Sequence, residues 1–218
     1  MSFNGAAVLV TGANRGLGRA FAREFARRGA KVYAGARNPA SVVDEGLIPV
    51  QLDVTDDASV AAAAKELGDV SIVINNAGVI AGVEDADSVR AEFEVNFFGI
   101  VRTTDAFAPV LKANGGGVLV NVLSILSFVG RAGWRGYAAS KAAAWSLTNS
   151  TRESLREQGT KVIAVHAGFI DTDMAAAQTG PKISPEDVVS QVLQAIENGD
   201  EEVLADERTR AVKASLSS

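Results

Sequence analysis

Apolar runs and helical-period stretches alternate along most of the chain. Residues 6–10 (Ala-Ala-Val-Leu-Val) are continuously apolar, the mark of a strand buried on both faces. Leu17, Ala20, Phe21 and Phe25 then repeat at helical spacing up to Gly29, a C-terminal stop. Further strands are expected at 31–36, 47–52, 70–74, 117–124, 161–166 and 201–205. Between them, helices are expected from Thr55, read as an N-cap, to residue 67, over 87–113 with a kink or break at Pro109, and over 136–158. Ser184-Pro-Glu-Asp187 opens another: a capping serine, proline at the first helical position and an acid at the third. The tail to Ser218 is polar with a few apolar residues and is expected to help assembly. No repeat, linker or low-complexity stretch divides the chain, so residues 1–218 read as one domain.

Thr11-Gly-Ala-Asn-Arg-Gly-Leu-Gly18 joins the first strand to the first helix. Glycines 12, 16 and 18 let backbone N–H groups approach a pyrophosphate, which the helix N-terminus stabilises; Asn14, Arg15 and Leu17 lie in the same turn. The bland alternative is a tight connection, but strand before and helix after favour nucleotide binding. A dinucleotide fold commonly ends its second strand with an acid for the ribose. Here Ala36, Arg37 and Asn38 stand instead. Arg15 and Arg37 suit a 2′-phosphate by charge and fork geometry, so NADPH is expected in preference to NADH.

Other polar residues fall where strands end. Asp53-Val54 either contacts adenine or structures its turn. Asn75-Asn-Ala-Gly78 offers Asn75, Ala77 and Gly78 along a cofactor. Gly168, Ile170 and Thr172 offer backbone amides and a hydroxyl to a carboxamide. Glu84, Asp85 and Asp87 read as a solvated helix start, not a metal site. Asn96 lies in an apolar stretch and needs partners: it bridges two backbones or holds a water that relays protons.

Tyr137-Ala-Ala-Ser-Lys141 sets a phenol beside an ammonium, since positions i and i+4 share a helix face. A nearby cation is expected to lower the phenol pKa from about 10, tuning it to move a proton to or from an oxygen. Ser124, thirteen residues earlier, ends a strand where its hydroxyl can hold that oxygen. Alone the pair could be packing and solvation; its weight comes from the rest of the chain.

Net charge is −5, from 21 basic and 26 acidic residues, which argues against nucleic-acid or acidic-membrane partners. No apolar run reaches the roughly 20 residues of a membrane span. The start, Met1-Ser-Phe-Asn-Gly5, leaves no room for a signal peptide before the first strand, and a cytoplasmic setting is expected. With no cysteine, disulfides and thiolate chemistry are excluded, and a single histidine, His166, reads as structural.

Together these residues resemble the short-chain dehydrogenase/reductase family, over nearly the whole chain. The resemblance rests on the glycine turn at 11–18, Asn-Asn-Ala-Gly at 75–78, Asn96, Ser124, Tyr137-x-x-x-Lys141 and Gly168-x-x-x-Thr172. It implies an α/β fold: a Rossmann-type doubly wound parallel sheet of about seven strands with helices on both faces. It also implies a catalytic set of Asn96, Ser124, Tyr137 and Lys141 without a metal, an NADPH-dependent carbonyl reductase reversible as an alcohol dehydrogenase, and a homodimer or homotetramer. Two departures stand out: Ala167 replaces the family's proline before the nicotinamide loop, and Leu123 precedes Ser124 where a second serine is common. Phe128, Trp134, Phe169 and Met174, with Val79 and Ile80 as possible additions, are expected to line a pocket for an apolar or aromatic ketone or aldehyde. The short stretch between Thr172 and Ser184 implies an open pocket. Two rivals stay open: an NADPH-binding sensor without turnover, and a lyase or dehalogenase on the same scaffold.

Overall fold

The computed structural model describes residues 3–82 and 85–216. In chain order the elements are β1 (Ala7–Thr11), α1 (Gly16–Arg27), β2 (Lys31–Ala36), β3 (Leu47–Gln51), α2 (Asp57–Glu66), β4 (Ile72–Asn75), α3 (Ala86–Phe93), α4 (Gly99–Ala113), β5 (Gly117–Val122), α5 (Arg135–Leu155), β6 (Thr160–His166), β7 (Phe169–Ile170), β8 (Lys182–Ile183), α6 (Pro185–Asn198), β9 (Glu202–Leu204) and α7 (Glu207–Ser215). The main sheet has seven strands, ordered β3-β2-β1-β4-β5-β6-β9, all paired in parallel. β7 and β8 form a separate two-stranded ribbon.

Every residue of β1 is buried, which explains its unbroken apolar run: both faces of a parallel sheet are covered. On one face α1 and α6 pack Phe21, Phe25, Val188, Val192 and Leu193 onto Val8, Val10, Ile74 and Ile163. On the other, α2 and α4 pack Val60, Phe107 and Leu111 onto Leu9, Val73 and Leu119. The chain order reverses between β1 and β4, which opens a crevice beyond the C-terminal ends of these neighbours. A buried polar thread crosses the same region: Asn75 Nδ2 donates to Asn121 Oδ1 (2.9 Å), and Asn121 Nδ2 donates to Thr148 Oγ1 (2.9 Å).

Several expected boundaries move. Asp56, not Thr55, caps α2, its side chain accepting from Ala58 N (3.0 Å). Thr55 instead gives its N–H and hydroxyl to Asp53 Oδ1 (3.0 and 2.8 Å). The helix expected over 87–113 is interrupted at Glu94–Phe98, a wider π turn carrying Asn96, while Pro109 stays inside α4. Ser184 caps α6 as its motif implies, accepting from Asp187 N (3.0 Å). The polar tail forms α7, which Asp206 caps through Thr209 N (2.9 Å). Asp85 caps α3 through Ser88 N (2.7 Å), and Asp87 pairs with Arg90 (2.7 Å); Glu84, read with them, lies outside the described residues.

Phe107 is fully buried in the α2–α4 layer. Phe107→Ala is therefore expected to cost about 3–5 kcal/mol in urea unfolding, as transfer and cavity effects add. A loss under about 1 kcal/mol would show that this layer is not close-packed.

Candidate functional site

A cavity of about 1090 Å³ lies along the crevice. Its first wall is the turn from β1 to α1, with Gly12, Asn14, Arg15, Gly16, Leu17 and Gly18 lining it. Thr11 sets this wall: its hydroxyl accepts from Asn76 N (3.0 Å) and Ala77 N (2.9 Å), joining the end of β1 to the end of β4. The Asn76 side chain donates to Thr11 O (2.9 Å) and Gly12 O (3.3 Å). Gly18 packs so tightly here that a Cβ would overlap the Gly12 carbonyl oxygen and the Asn76 amide. The first turn of α1 holds no acid, so its N-terminus meets an anion unopposed.

Arg37, Asp53 and Val54 line the same end of the cavity. Neither Arg15 nor Arg37 has an ion-pair partner among the described residues. Burial alone would push the Asp53 carboxyl up, but the two bonds from Thr55 and the charges of Arg37 and Arg102 hold it below the ordinary carboxylate value. Ala77 and Gly78 line the cavity, but Asn75 does not. Asn75 is buried in the sheet and bonded to Asn121; the neighbouring Asn76 lines the crevice instead. The alternation of side chains along a strand decides which of the two faces out.

At the other end, Ser124, Tyr137 and Lys141 meet. Ser124 lies just beyond β5 and caps the short 3₁₀ turn Ile125–Ser127, its hydroxyl accepting from Leu126 N (3.1 Å). The same side chain is hydrogen-bonded to Tyr137. Tyr137 and Lys141 share one face of α5, with the ammonium 5.8 Å from the phenol ring centre. Lys141 is 4% exposed, and its Nζ donates to Val122 O (2.8 Å) at the end of β5.

The expected lowering of the phenol pKa is not what this arrangement gives. Burial pushes Tyr137 up to about 12, the Ser124 bond pulls it down, and the charge of Glu92 pushes it further up. Tyr137 does keep an edge open to the cavity. Burial also brings Lys141 down to about 8, which weakens it as a fixed cation. Glu92 was not foreseen. It is buried on α3, accepts from Ala81 N (2.9 Å), and presses so close to Gly136 that a Cβ there would overlap it.

Asn96 is fully buried and does not line the cavity. Its Oδ1 accepts from Val79 N (2.8 Å), and its Nδ2 donates to Val79 O (3.0 Å) and Ser140 Oγ (3.1 Å). Both amide hydrogens are thus committed, so Asn96 bridges backbone to helix and has no N–H left for a relaying water. Gly78 sits between Asn96 and Lys141: a Cβ would lie 3.3 Å from Asn96 Oδ1 and 3.7 Å from Lys141 Nζ.

Gly168, Ile170 and Thr172 line the cavity. The Gly168 N–H is taken by Asp206 Oδ2 (2.6 Å), and the Thr172 N–H by Ile170 O (2.8 Å), so neither amide is free to hold a carboxamide. Trp134, Phe169 and Met174 line the wall beyond Tyr137, as do Val79 and Ile80. Trp134 meets Tyr137 edge-on at 6.0 Å and Phe169 at 6.3 Å between ring centres. Phe128, expected beside them, faces away: it stacks on His166 (4.2 Å) and meets Trp145 edge-on (4.9 Å). The buried imidazole and the partly buried indole hold it there instead. Arg131, Gln178 and the α7 residues Arg208 and Val212 also line this end, and sequence reasoning missed them. α7 lacks the apolar stripe that would have flagged it as a wall.

Comparison with known proteins agrees with this geometry. The short chain dehydrogenase family model matches residues 6–182. A 3-oxoacyl-(acyl-carrier-protein) reductase FabG of Salmonella typhimurium is 33% identical over 192 residues, covering 81% of this chain and 78% of that protein. A 1-deoxy-11-beta-hydroxypentalenate dehydrogenase of Streptomyces exfoliatus is 35% identical, covering 87% and 79%. A short chain dehydrogenase from Burkholderia cenocepacia J2315, solved in complex with NADP, superposes with a TM-score of 0.94 at 38% identity, covering 100% of this chain and 95% of that one.

His166 lies directly beneath Ser124. Its Nδ1 is 3.1 Å from the Ser124 carbonyl, and its Nε2 has no hydrogen-bond partner among the described residues, with Glu202 Oε1 3.6 Å away. Burial brings the imidazole down from 6.5 to about 4. As pH falls from 6.5 towards 4, the unfolded chain takes up this proton first, so stability drops across that window. The loss is of the order of about 3 kcal/mol. Urea unfolding at pH 7 and pH 4 should show that much more acid loss in the parent than in His166→Asn. Equal losses would show that His166 does not titrate below its ordinary value.

Proposed function

Because the chain belongs to the short chain dehydrogenase family, we propose that it is an NADPH-dependent reductase of a ketone or aldehyde, reversible as an alcohol dehydrogenase. The observation that carries this reading is the meeting of Ser124, Tyr137 and Lys141 on one wall of a crevice whose other end is a glycine turn flanked by Arg15 and Arg37, neither of them in an ion pair among the described residues. NADP(H) fits the residues present. A Cβ at Gly18 would overlap the Gly12 carbonyl, Gly12 and Gly16 turn with positive φ (66° and 52°), and α1 directs an unopposed N-terminus at this cradle. Arg15 and Arg37 supply charge for a 2′-phosphate where no acid stands at 36–38. Solved relatives carry NADP, NADPH or NAD, so these two arginines make the choice.

When bound, the cofactor supplies a hydride to the carbonyl carbon. Tyr137 gives its proton to the carbonyl oxygen, and Ser124 holds that oxygen by its hydroxyl. The C=O double bond becomes a C–O single bond, and the product is the neutral alcohol. Lys141 retains donors beyond its bond to Val122 O, which suit the hydroxyls of the nicotinamide ribose. Asn96 acts by position: it ties the Val79 backbone beside Gly78 to Ser140 on α5. A phenol held above its ordinary value is protonated at neutral pH and so can give a proton to the carbonyl oxygen.

Trp134, Phe169 and Met174 favour an aromatic or apolar carbonyl compound. The relatives named for a 3-oxoacyl carrier-protein ester and for a pentalenate make an acyl or acid-bearing ketone a reasonable alternative. We read the protein as a cytoplasmic homo-oligomer; the half-exposed Phe98 at the head of α4 offers an apolar contact for a second copy. No helix among the described residues is long and apolar enough to cross a membrane.

Tyr137→Phe, assayed with a panel of ketones and aldehydes by loss of the reduced-nicotinamide absorbance, is expected to lose ~10²–10⁴-fold in turnover while still binding NADPH. Undiminished turnover in that variant would remove the proton-donor assignment.

A further inference from the structure

The chain carries more acid than base, and its arginines mostly find carboxylates. Arg19, Arg23, Arg27, Arg28, Arg90, Arg102, Arg152 and Arg156 all lie in ion pairs. Arg15, Arg37, Arg131 and Arg208 make none among the described residues, and all four line the one cleft; Arg210, which makes none either, lies outside it and donates to Leu204 O (2.9 Å). Arg15 and Arg37 belong to the nucleotide end. Arg131 and Arg208 remain for the substrate.

Arg131 stands over two aromatic rings, 5.5 Å from the centre of Trp134 and 5.7 Å from that of Phe169. Trp134 is itself in edge contact with Tyr137, so the guanidinium lies one ring removed from the proton donor. Contact with the ring faces leaves the in-plane N–H fork free, and that fork matches an oxyanion. Arg208 enters from α7, two residues after Asp206, which binds the N–H of Gly168 beside Phe169. Asp173 is the one carboxylate lining this end among the described residues, and it pairs with neither arginine. An uncharged substrate would leave both guanidiniums without a counter-charge at the pocket mouth.

We propose that the substrate carries an oxyanion group, a carboxylate or a phosphate, at the end remote from its carbonyl, held by Arg131 with Arg208, while its apolar body lies against Trp134 and Phe169. This deepens the reductase reading and rests on it for the position of the carbonyl. The guanidinium pair would then select the substrate by charge and set its direction in the cleft.

Calorimetric titration of the NADP⁺-saturated protein tests this without requiring turnover. The probes are 4-acetylbenzoate, 4-acetylphenyl phosphate and the neutral 4-acetylbenzamide. One of the two anions is expected to bind at least about tenfold more tightly than the amide, and which one does so identifies the oxyanion. The ratio should fall towards one in Arg131→Gln, fall in part in Arg208→Gln, and shrink in ~0.5 M salt. Anions that bind no better than the amide would overturn the proposal, as would a ratio untouched in both variants. Tight anion binding lost in Arg131→Gln, with no NADPH oxidation by the parent protein, would uphold the anion site and remove the reductase reading instead.

Discussion

Burial of a phenol and an ammonium side by side on α5 is the constraint on which the reacting end depends. Lys141 is almost wholly enclosed and donates to the Val122 carbonyl, and Tyr137 is bonded to Ser124. Enclosure disfavours charge on either group, so the phenol rises and the ammonium falls. The simple picture of a lysine that acidifies its neighbour does not describe the protein on its own. The pair instead holds a protonated donor next to an ammonium that burial has brought down to about 8. Glu92 strengthens this bias from α3, behind Gly136.

The surrounding fold makes that enclosure and leaves one side open. The Val122 carbonyl at the end of β5, the Ser124 turn after it and the crevice between β1 and β4 all lie along the C-terminal edge of the parallel sheet, where its strands end. Thr11 and Asn76 close that edge at the nucleotide end; Asn96, in its π turn, closes it beside Gly78. Asp206 carries the same edge round to α7, which brings Arg208 to the mouth. Apolar packing fixes the sheet, and a small number of side chain to backbone bonds then fix the site.

Much of this was legible in the sequence because it follows from period and punctuation. Continuous apolar runs gave the strands, the turn at 11–18 gave the nucleotide end, and Ser184-Pro-Glu-Asp187 gave the start of α6. The i, i+4 spacing correctly put Tyr137 and Lys141 on one face. What escaped depends on tertiary context. Choosing between Asn75 and Asn76 requires knowing which residue is last in the pleat. Phe128 turned to the imidazole of His166, a contact between residues far apart in sequence. The sign of the Tyr137 shift depends on how much water reaches it, which no spacing reveals. α7 was invisible because its role is to line an opening with polar groups.

The ionisation of Tyr137 itself tests the account most directly. The protein has two tyrosines, so ¹³Cζ labelling gives two NMR resonances, and Tyr137→Phe assigns one of them. Burial predicts that in the free protein Tyr137 titrates well above the ordinary value of 10.0, towards 12. Saturation with NADP⁺, which brings a positive ring to this wall, should move it down. A Tyr137 that titrates at or below 10.0 in the free protein would contradict the claim that enclosure keeps the proton in place.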